Sequence, residues 1–328
     1  MKQLAADIKS GQFKNAYLLC GEEQYLKLSY KKQLIKAIAG DDTMNLVLYE
    51  GKNIDINEVI DNADTVPFFA EHKLIVMDST GLFKGGGEDL AEYMSNIPKS
   101  TIFVFVEDDV DKRSKMYKAV KNNGYICEIN RQSEQDIAVW AAKIIAHSDK
   151  KITKADMSYL IGNVGTNMEV LSQEIEKLIS YCLDKPVITK ADIEAVCVKQ
   201  LTVRIFDMID AISVKNQKKT LDCYYELIAE KEPPMRILFM ISRQFNLMLQ
   251  AKDLSSRGMN RNDIASAMGV QGFIATKCIN QSRNFSVADL KMGLAESVRT
   301  EELIKSGNMD ENIGVEMLLV KYSAKSDF

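Results

Sequence analysis

The chain predicts an α/β domain with a five-stranded, mostly parallel sheet, followed by a small helical domain and a larger all-α domain. Two observations carry this. Up to about Asn130, short apolar or β-branched runs alternate with helical stretches, and beyond Asn130 helical periodicity stands alone. A third observation bears on chemistry. The first run, Ala16 to Cys20, ends at Gly21 and turns at once into helix, as in nucleotide-hydrolysing folds. No Gly-x-x-x-x-Gly-Lys-[Ser/Thr] loop follows. Glu22 and Glu23 stand there instead and repel a triphosphate.

The strands are expected at Ala16 to Cys20, Leu46 to Tyr49, Lys73 to Met77, Ile102 to Val106 and Tyr125 to Ile129. Helices are expected between them at Glu23 to Ala37, Ile56 to Ala63, Glu88 to Ser95 and Lys112 to Asn122, the last closed by Asn123-Gly124. Gly85-Gly86-Gly87 reads as a flexible connection and a poor phosphate loop. Ser133-x-x-Asp136 has the form of a capping box ahead of Ile137 to Trp140. Met168, Leu171, Ile175, Leu178 and Ile179 recur at helical spacing. Thr189 or Asp192 starts the next helix, and Pro233-Pro234 opens a long one through Met248. Ser255 to Gly258 and Met268-Gly269 punctuate the rest. Met235, Met240 and Met248 read as core filling. Domain boundaries fall near Asn130 and Arg204, giving 1–130, 131–204 and 205–328.

With 328 residues, 46% hydrophobic and 27% charged, the chain has the composition of a soluble globular protein. Its N-terminus lacks the apolar core of a signal peptide and no run reaches the length of a membrane span, so a cytoplasmic location is expected. The six cysteines lie at long intervals without a Cys-x-x-Cys pair, and only His72 and His147 could assist a metal. Buried free thiols are the expectation, with no metal and no catalytic residue. A net charge of −4 argues against a protein that coats nucleic acid by itself. The deficit lies before Phe206, since charges balance after it.

Several segments, in order, resemble the delta-subunit family of the bacterial DNA polymerase III clamp loader. They are Tyr17 to Leu26 (YLLCGEEQYL), Val66 to Lys73 (VPFFAEHK), Phe103 to Lys118 (FVFVEDDVDKRSKMYK) and Gly165 to Tyr181 (GTNMEVLSQEIEKLISY). Arg204 to Asp207, Gly269 to Phe285 and Thr300 to Gly307 follow in the last third. The chain lacks the four-cysteine zinc module and Ser-Arg-Cys finger of the related delta prime subunit. The resemblance implies a degenerate AAA+ domain, a helical lid and a helical collar for oligomerisation. It implies a subunit without intrinsic catalysis or cofactor that binds and opens the sliding clamp (beta) for loading onto primed DNA. Its partners in the DNA polymerase III holoenzyme are ATP-hydrolysing loader subunits and delta prime, and any polymerase activity belongs to that assembly.

Carried onto this chain, the clamp-binding element is Val66, Pro67, Phe68 and Phe69. By sequence alone, two adjacent aromatics before a strand fit either the core or an exposed plug. The resemblance selects the plug. Asp108, Asp109 and Asp111 sit where an ATPase holds magnesium; without a lysine or phosphate loop they read as a remnant or a helix N-cap cluster. Lys112, Arg113, Lys115 and Lys118 read as a basic helix stripe, either solvated or facing a neighbour or DNA. In the collar, Gln271, Phe273, Lys277 and Lys305 are the candidate DNA contacts. Gln271-Gly272-Phe273 departs from the family pattern, and core packing stands as the other reading of Phe273. Two further functions stay open: a nucleotide-dependent AAA+ motor with an unusual site, and an assembly scaffold.

Overall fold

The computed structural model describes residues 1–40 and 43–324, in two compact units, Met1–Ser133 and Glu134–Phe328. The last four residues of the expected collar lie outside the described residues.

In the first unit, β1 (Ala16–Cys20), β2 (Leu46–Glu50), β3 (Lys73–Asp78), β4 (Thr101–Glu107) and β5 (Tyr125–Glu128) form one sheet in the order β2-β3-β4-β1-β5. Every pairing is parallel. A parallel sheet is stable when both faces are covered, because its crossover helices lie on them. Alternation along the strands meets that requirement. Leu18, Ile75, Met77, Phe103 and Phe105 face α3 (Ile56–Asp64), α4 (Glu88–Tyr93) and α5 (Lys115–Asn123) through Val59, Leu90 and Val120. Tyr17, Leu19, Val76, Ile102 and Val104 pack on the opposite face with Leu34 of α2 (Gln24–Ile38) and Leu4 of α1 (Lys2–Ser10). The sequence reading did not foresee α1, which buries only Leu4 and Asp7.

The second unit is helical apart from one correction to the reading that strands end at Asn130. Lys151–Ile152 (β6) and Val187–Ile188 (β7) form a two-residue parallel pair. Around it, α8 (Met168–Tyr181) packs against α6 (Glu134–His147), α7 (Lys154–Val164) and α9 (Lys190–Val196). Asn167 caps α8, and Thr189 and Asp192 cap α9 together as a capping box. The expected boundary at Arg204 lies in the first turn of α10 (Leu201–Ser213).

Beyond it come α11 (Gln217–Ala229), α12 (Pro234–Ser256), α13 (Arg261–Met268), α14 (Gly272–Ser282), α15 (Val287–Lys305) and α16 (Glu311–Ser323). Helix α12 is the hub. Pro234 opens it where a missing N–H costs nothing. It runs past the expected end at Met248, burying Ile237, Ile241, Phe245, Met248 and Ala251. Helix α15 comes close because Gly293 has no side chain; an added Cβ there would lie 3.1 Å from the Phe245 ring. Four of the six cysteines are buried, and all are free thiols. Burial pushes the Cys20 and Cys278 thiols up to about 11. No helix among the described residues is long and apolar enough to cross a membrane.

Candidate functional site

The segment between α3 and β3 is fixed at its base and free at its tip. At the base, the Thr65 N–H and Oγ1–H both donate to the Asn62 carbonyl, at 3.3 and 2.7 Å, and the buried Lys73 Nζ donates to Thr65 Oγ1. The second restraint is Asn45, only 3% exposed, which precedes β2. Its Nδ2 donates to the Phe68 carbonyl at 2.8 Å, and its Oδ1 accepts from the Phe68 N–H at 2.7 Å. A primary amide carries one donor edge and one acceptor edge, so this side chain pairs with Phe68 as a neighbouring strand would. The Asn45 main chain meanwhile accepts from Leu74 N–H at 2.8 Å, placing the pairing in register with β3.

Held this way, the apolar side chains project into solvent. Val66 is 87% exposed, Phe68 55% and Phe69 96%, while Pro67 is half-buried. The two rings meet edge to face with centroids 4.6 Å apart, a favourable arrangement that keeps them together as one apolar knob. Phe69 has φ +49°, a left-handed conformation that a bulky residue adopts only where its surroundings impose it. Met44, beside Asn45, and Leu48, on the edge strand β2, are also exposed. Asn45 and Met44 escaped the sequence reading. Nothing local marks an asparagine whose partner lies 23 residues away. Replacing Asn45 by alanine strands both polar groups of Phe68. The expected result is faster hydrogen exchange across residues 66–70, seen by mass spectrometry, with strands β3 and β4 unchanged; unchanged exchange at 66–70 rejects the clamp.

A second region lies at the carboxyl ends of the strands, where α/β sheets bind ligands at a switch in strand order. Here the switch falls at β1, whose chain leaves towards β2 while β4 leads to β5. The crevice is closed from within. Gly21 has φ +120°, and a Cβ on it would sit 2.5 Å from the Ile129 carbonyl. Ile129 donates to the Cys20 carbonyl at 2.6 Å and accepts from the Glu23 N–H at 3.0 Å. The backbone therefore occupies the turn that a phosphate loop would wrap.

The expectation that no lysine stands here is corrected. Counting from Gly21, Lys27 falls at the lysine of the Gly-x-x-x-x-Gly-Lys-[Ser/Thr] spacing, with Leu26 for the second glycine and Leu28 for the hydroxyl residue. Lys27 is fully buried, and its Nζ donates to the Glu107 carbonyl at 3.2 Å and to Asp108 Oδ1 at 2.5 Å. Gln24 Nε2 donates to the same oxygen at 2.6 Å, and Lys31 Nζ pairs with Asp78 at 2.6 Å. Gln24, Lys27 and Lys31 are spaced three and four apart, so one face of α2 ties down the ends of β3 and β4. The Lys27 and Gln24 hydrogen bonds hold the Asp108 carboxyl below the usual aspartate range.

The remaining acidic residues separate. Asp109 pairs with Lys84 at 2.9 Å and Asp111 with Arg113 at 3.0 Å. Of the two readings, remnant or N-cap cluster, the second is corrected: Ser114 caps α5, its side chain accepting from the Tyr117 N–H. No group of three or more metal-binding side chains occurs among the described residues. The basic stripe is also corrected, because Lys112 and Arg113 precede α5. Lys112 pairs with Glu128 at 2.6 Å, and Lys115 lies 3.9 Å from Glu92.

In the second unit, Phe273 and Lys277 line one cleft of about 630 Å³ with Asp207 and Arg261. Gln271 is the exposed N-cap of α14, and Lys305 ends α15 outside that lining. Lys277 Nζ is 2.6 Å from Asp210, and Lys305 Nζ is 2.5 Å from Glu301, so each ammonium already has a counter-ion.

Comparison with known proteins gives the same family twice along the chain. The model for the DNA polymerase III delta subunit matches residues 17–130, and that for the C-terminal domain of the same subunit matches residues 202–322. The DNA polymerase III subunit delta of Bacillus subtilis is 24% identical over 333 residues, covering 98% of this chain and 96% of its own length. A probable DNA polymerase III subunit delta of Aquifex aeolicus is 25% identical over 289 residues, covering 84% and 81%. Among solved structures, the Bacillus subtilis DNA clamp loader delta protein superposes with a TM-score of 0.74 at 23% identity, covering 98% and 99%, a likeness of fold. With both halves of the family pattern present in order, the chain belongs to the delta-subunit family of the DNA polymerase III clamp loader.

Proposed function

We propose that this chain binds the ring-shaped sliding clamp and opens it for loading onto primed DNA, and that it does so without catalysing a reaction itself. The observation that carries this is the knob of Phe68 and Phe69, exposed in solvent on a loop that Asn45 and Lys73 hold at fixed points. Isolated exposed apolar residues are ordinary, but two touching aromatics with Val66 on a braced loop form an anchor for a hydrophobic groove. Docking such an anchor opens a ring only if the chain binds the open form more tightly than the closed one.

ATP hydrolysis then falls to neighbouring subunits, with delta prime completing the hetero-oligomer. Lys27 is committed to Asp108 and Glu107, and Ile129 crowds the turn at Gly21, which disfavours the nucleotide-driven motor. In this reading 131–204 acts as a lid and 205–328 as a collar, and the work is done in the cytoplasm. In the same reading Gln271 and Phe273 touch primed DNA within the assembly. Lys277 and Lys305 would offer phosphate the N–H donors left over beside Asp210 and Glu301.

The test uses a clamp carrying a donor and an acceptor dye across one ring interface. Adding the purified chain without nucleotide should lower energy transfer saturably. Binding without any change in transfer would reduce the chain to a tether. Absence of binding, by the chain alone and in the reconstituted loader, would favour the scaffold.

A further inference from the structure

We infer that a cleft between α12, α13 and α14 binds the backbone of single-stranded DNA. The cleft has a volume of about 450 Å³ and is lined by Lys252, Arg261 and Arg283 together with Asn260, Ser255 and Ser282. None of its lining residues is acidic. In a chain of net charge −4 with balanced charges from Phe206 onward, three cations around one hollow without a carboxylate are a local excess.

The bonding of these groups sharpens the point. Several cations of this unit have a carboxylate partner: Lys277 has Asp210, Lys305 has Glu301, Arg257 has Asp253 and Arg236 has Glu232. Among the described residues, no carboxylate lies within ion-pair distance of Arg261 or Arg283, and both are exposed. Lys252 Nζ donates to the Ser282 carbonyl at 2.8 Å, which fixes the ammonium and leaves other donors for a ligand. Asp263, the acidic residue of α13, is tied to Asn260 Nδ2 at 2.5 Å. The cations are left facing the hollow.

The floor identifies the class of anion. Met259, Ile264 and Ile279 also line the cleft, so an apolar surface lies beneath the cationic rim. A bare phosphate uses only the rim. A nucleotide of a single strand uses both, its phosphate against the guanidinium groups and its sugar and base edge against the aliphatic floor. A duplex keeps its bases stacked and its backbone stiff, so it cannot lay a nucleotide's base against the floor of such a hollow. The cleft is distinct from the one holding Phe273 and Lys277, with Arg261 on the border of both.

The choice of DNA as the polyanion rests on the replication reading, but the test needs no clamp and can fail separately from it. The full chain is titrated against a labelled single strand of about 15 nucleotides at about 50 mM salt, with fluorescence anisotropy as the readout. The Arg261→Ala/Arg283→Ala double variant should bind about tenfold more weakly. Its salt slope should fall by about 1.4, from two phosphate contacts at roughly 0.7 each. A Lys218→Ala/Lys291→Ala control removes the same net charge elsewhere and should bind as the parent does. Inorganic pyrophosphate and a duplex of equal length should compete poorly. Absence of binding by the parent, equal weakening by the control, or pyrophosphate competing as well as the strand would each overturn the assignment.

Discussion

Changing Phe68 and Phe69 together to alanine is expected to abolish measurable binding to the sliding clamp while leaving the protein folded. Burying a phenylalanine from water contributes about 1.5–3 kcal/mol, so the pair carries about 3–6 kcal/mol before ordering costs. A micromolar complex has a free energy of about −8 kcal/mol, and each 1.4 kcal/mol is a factor of about ten. The double variant should therefore weaken binding by about 100-fold or more, beyond the range of an ordinary calorimetric titration. The single changes should be unequal. Phe69, at 96% exposure, has nearly its whole surface to lose on docking, whereas Phe68 at 55% already shelters part of its ring. Both side chains lie outside the core, so the stability change should stay within about 0.5 kcal/mol. A folded double variant that binds as tightly as the parent would remove these residues from the interface.

The order of strands and helices was legible because a sheet covered on both faces needs runs that are apolar on both faces. Ala16 to Cys20 and Ile102 to Val106 satisfy this without interruption. The elements that escaped have little pattern to show. Helix α1 buries two residues, and β6 and β7 are two residues long. The candidate loop was legible only through resemblance, since Pro67-Phe68-Phe69 before a strand fits core and surface alike. What decides its exposure is Asn45 and Lys73, and these act through pairings that no periodicity encodes. Lys27 was hidden for another reason. A motif lacking its second glycine and its hydroxyl residue was read as wholly absent, although its lysine remained in register and had turned inward.

That inward turn sets the second large effect, expected on stability. Lys27→Ala should destabilise the protein by about 2–4 kcal/mol in urea unfolding, because it removes buried methylenes and the ion pair together and leaves a cavity behind. Lys27→Met keeps most of the stem and should cost less. Its loss falls mainly on Asp108, whose side chain is 68% exposed and can be rehydrated. The two variants thus separate packing from charge. The pH dependence follows from the depressed Asp108 carboxyl. A group whose folded pKa lies below its unfolded value adds stability above the unfolded value and loses it as pH falls through the folded one. The gap between parent and Lys27→Met should therefore be constant near neutrality and narrow below about pH 4. Neither variant should acquire nucleotide binding, since the Ile129 carbonyl still crowds Gly21 once the ammonium is gone. Stability of Lys27→Ala within about 0.5 kcal/mol of the parent would show that the crevice is held shut by backbone alone.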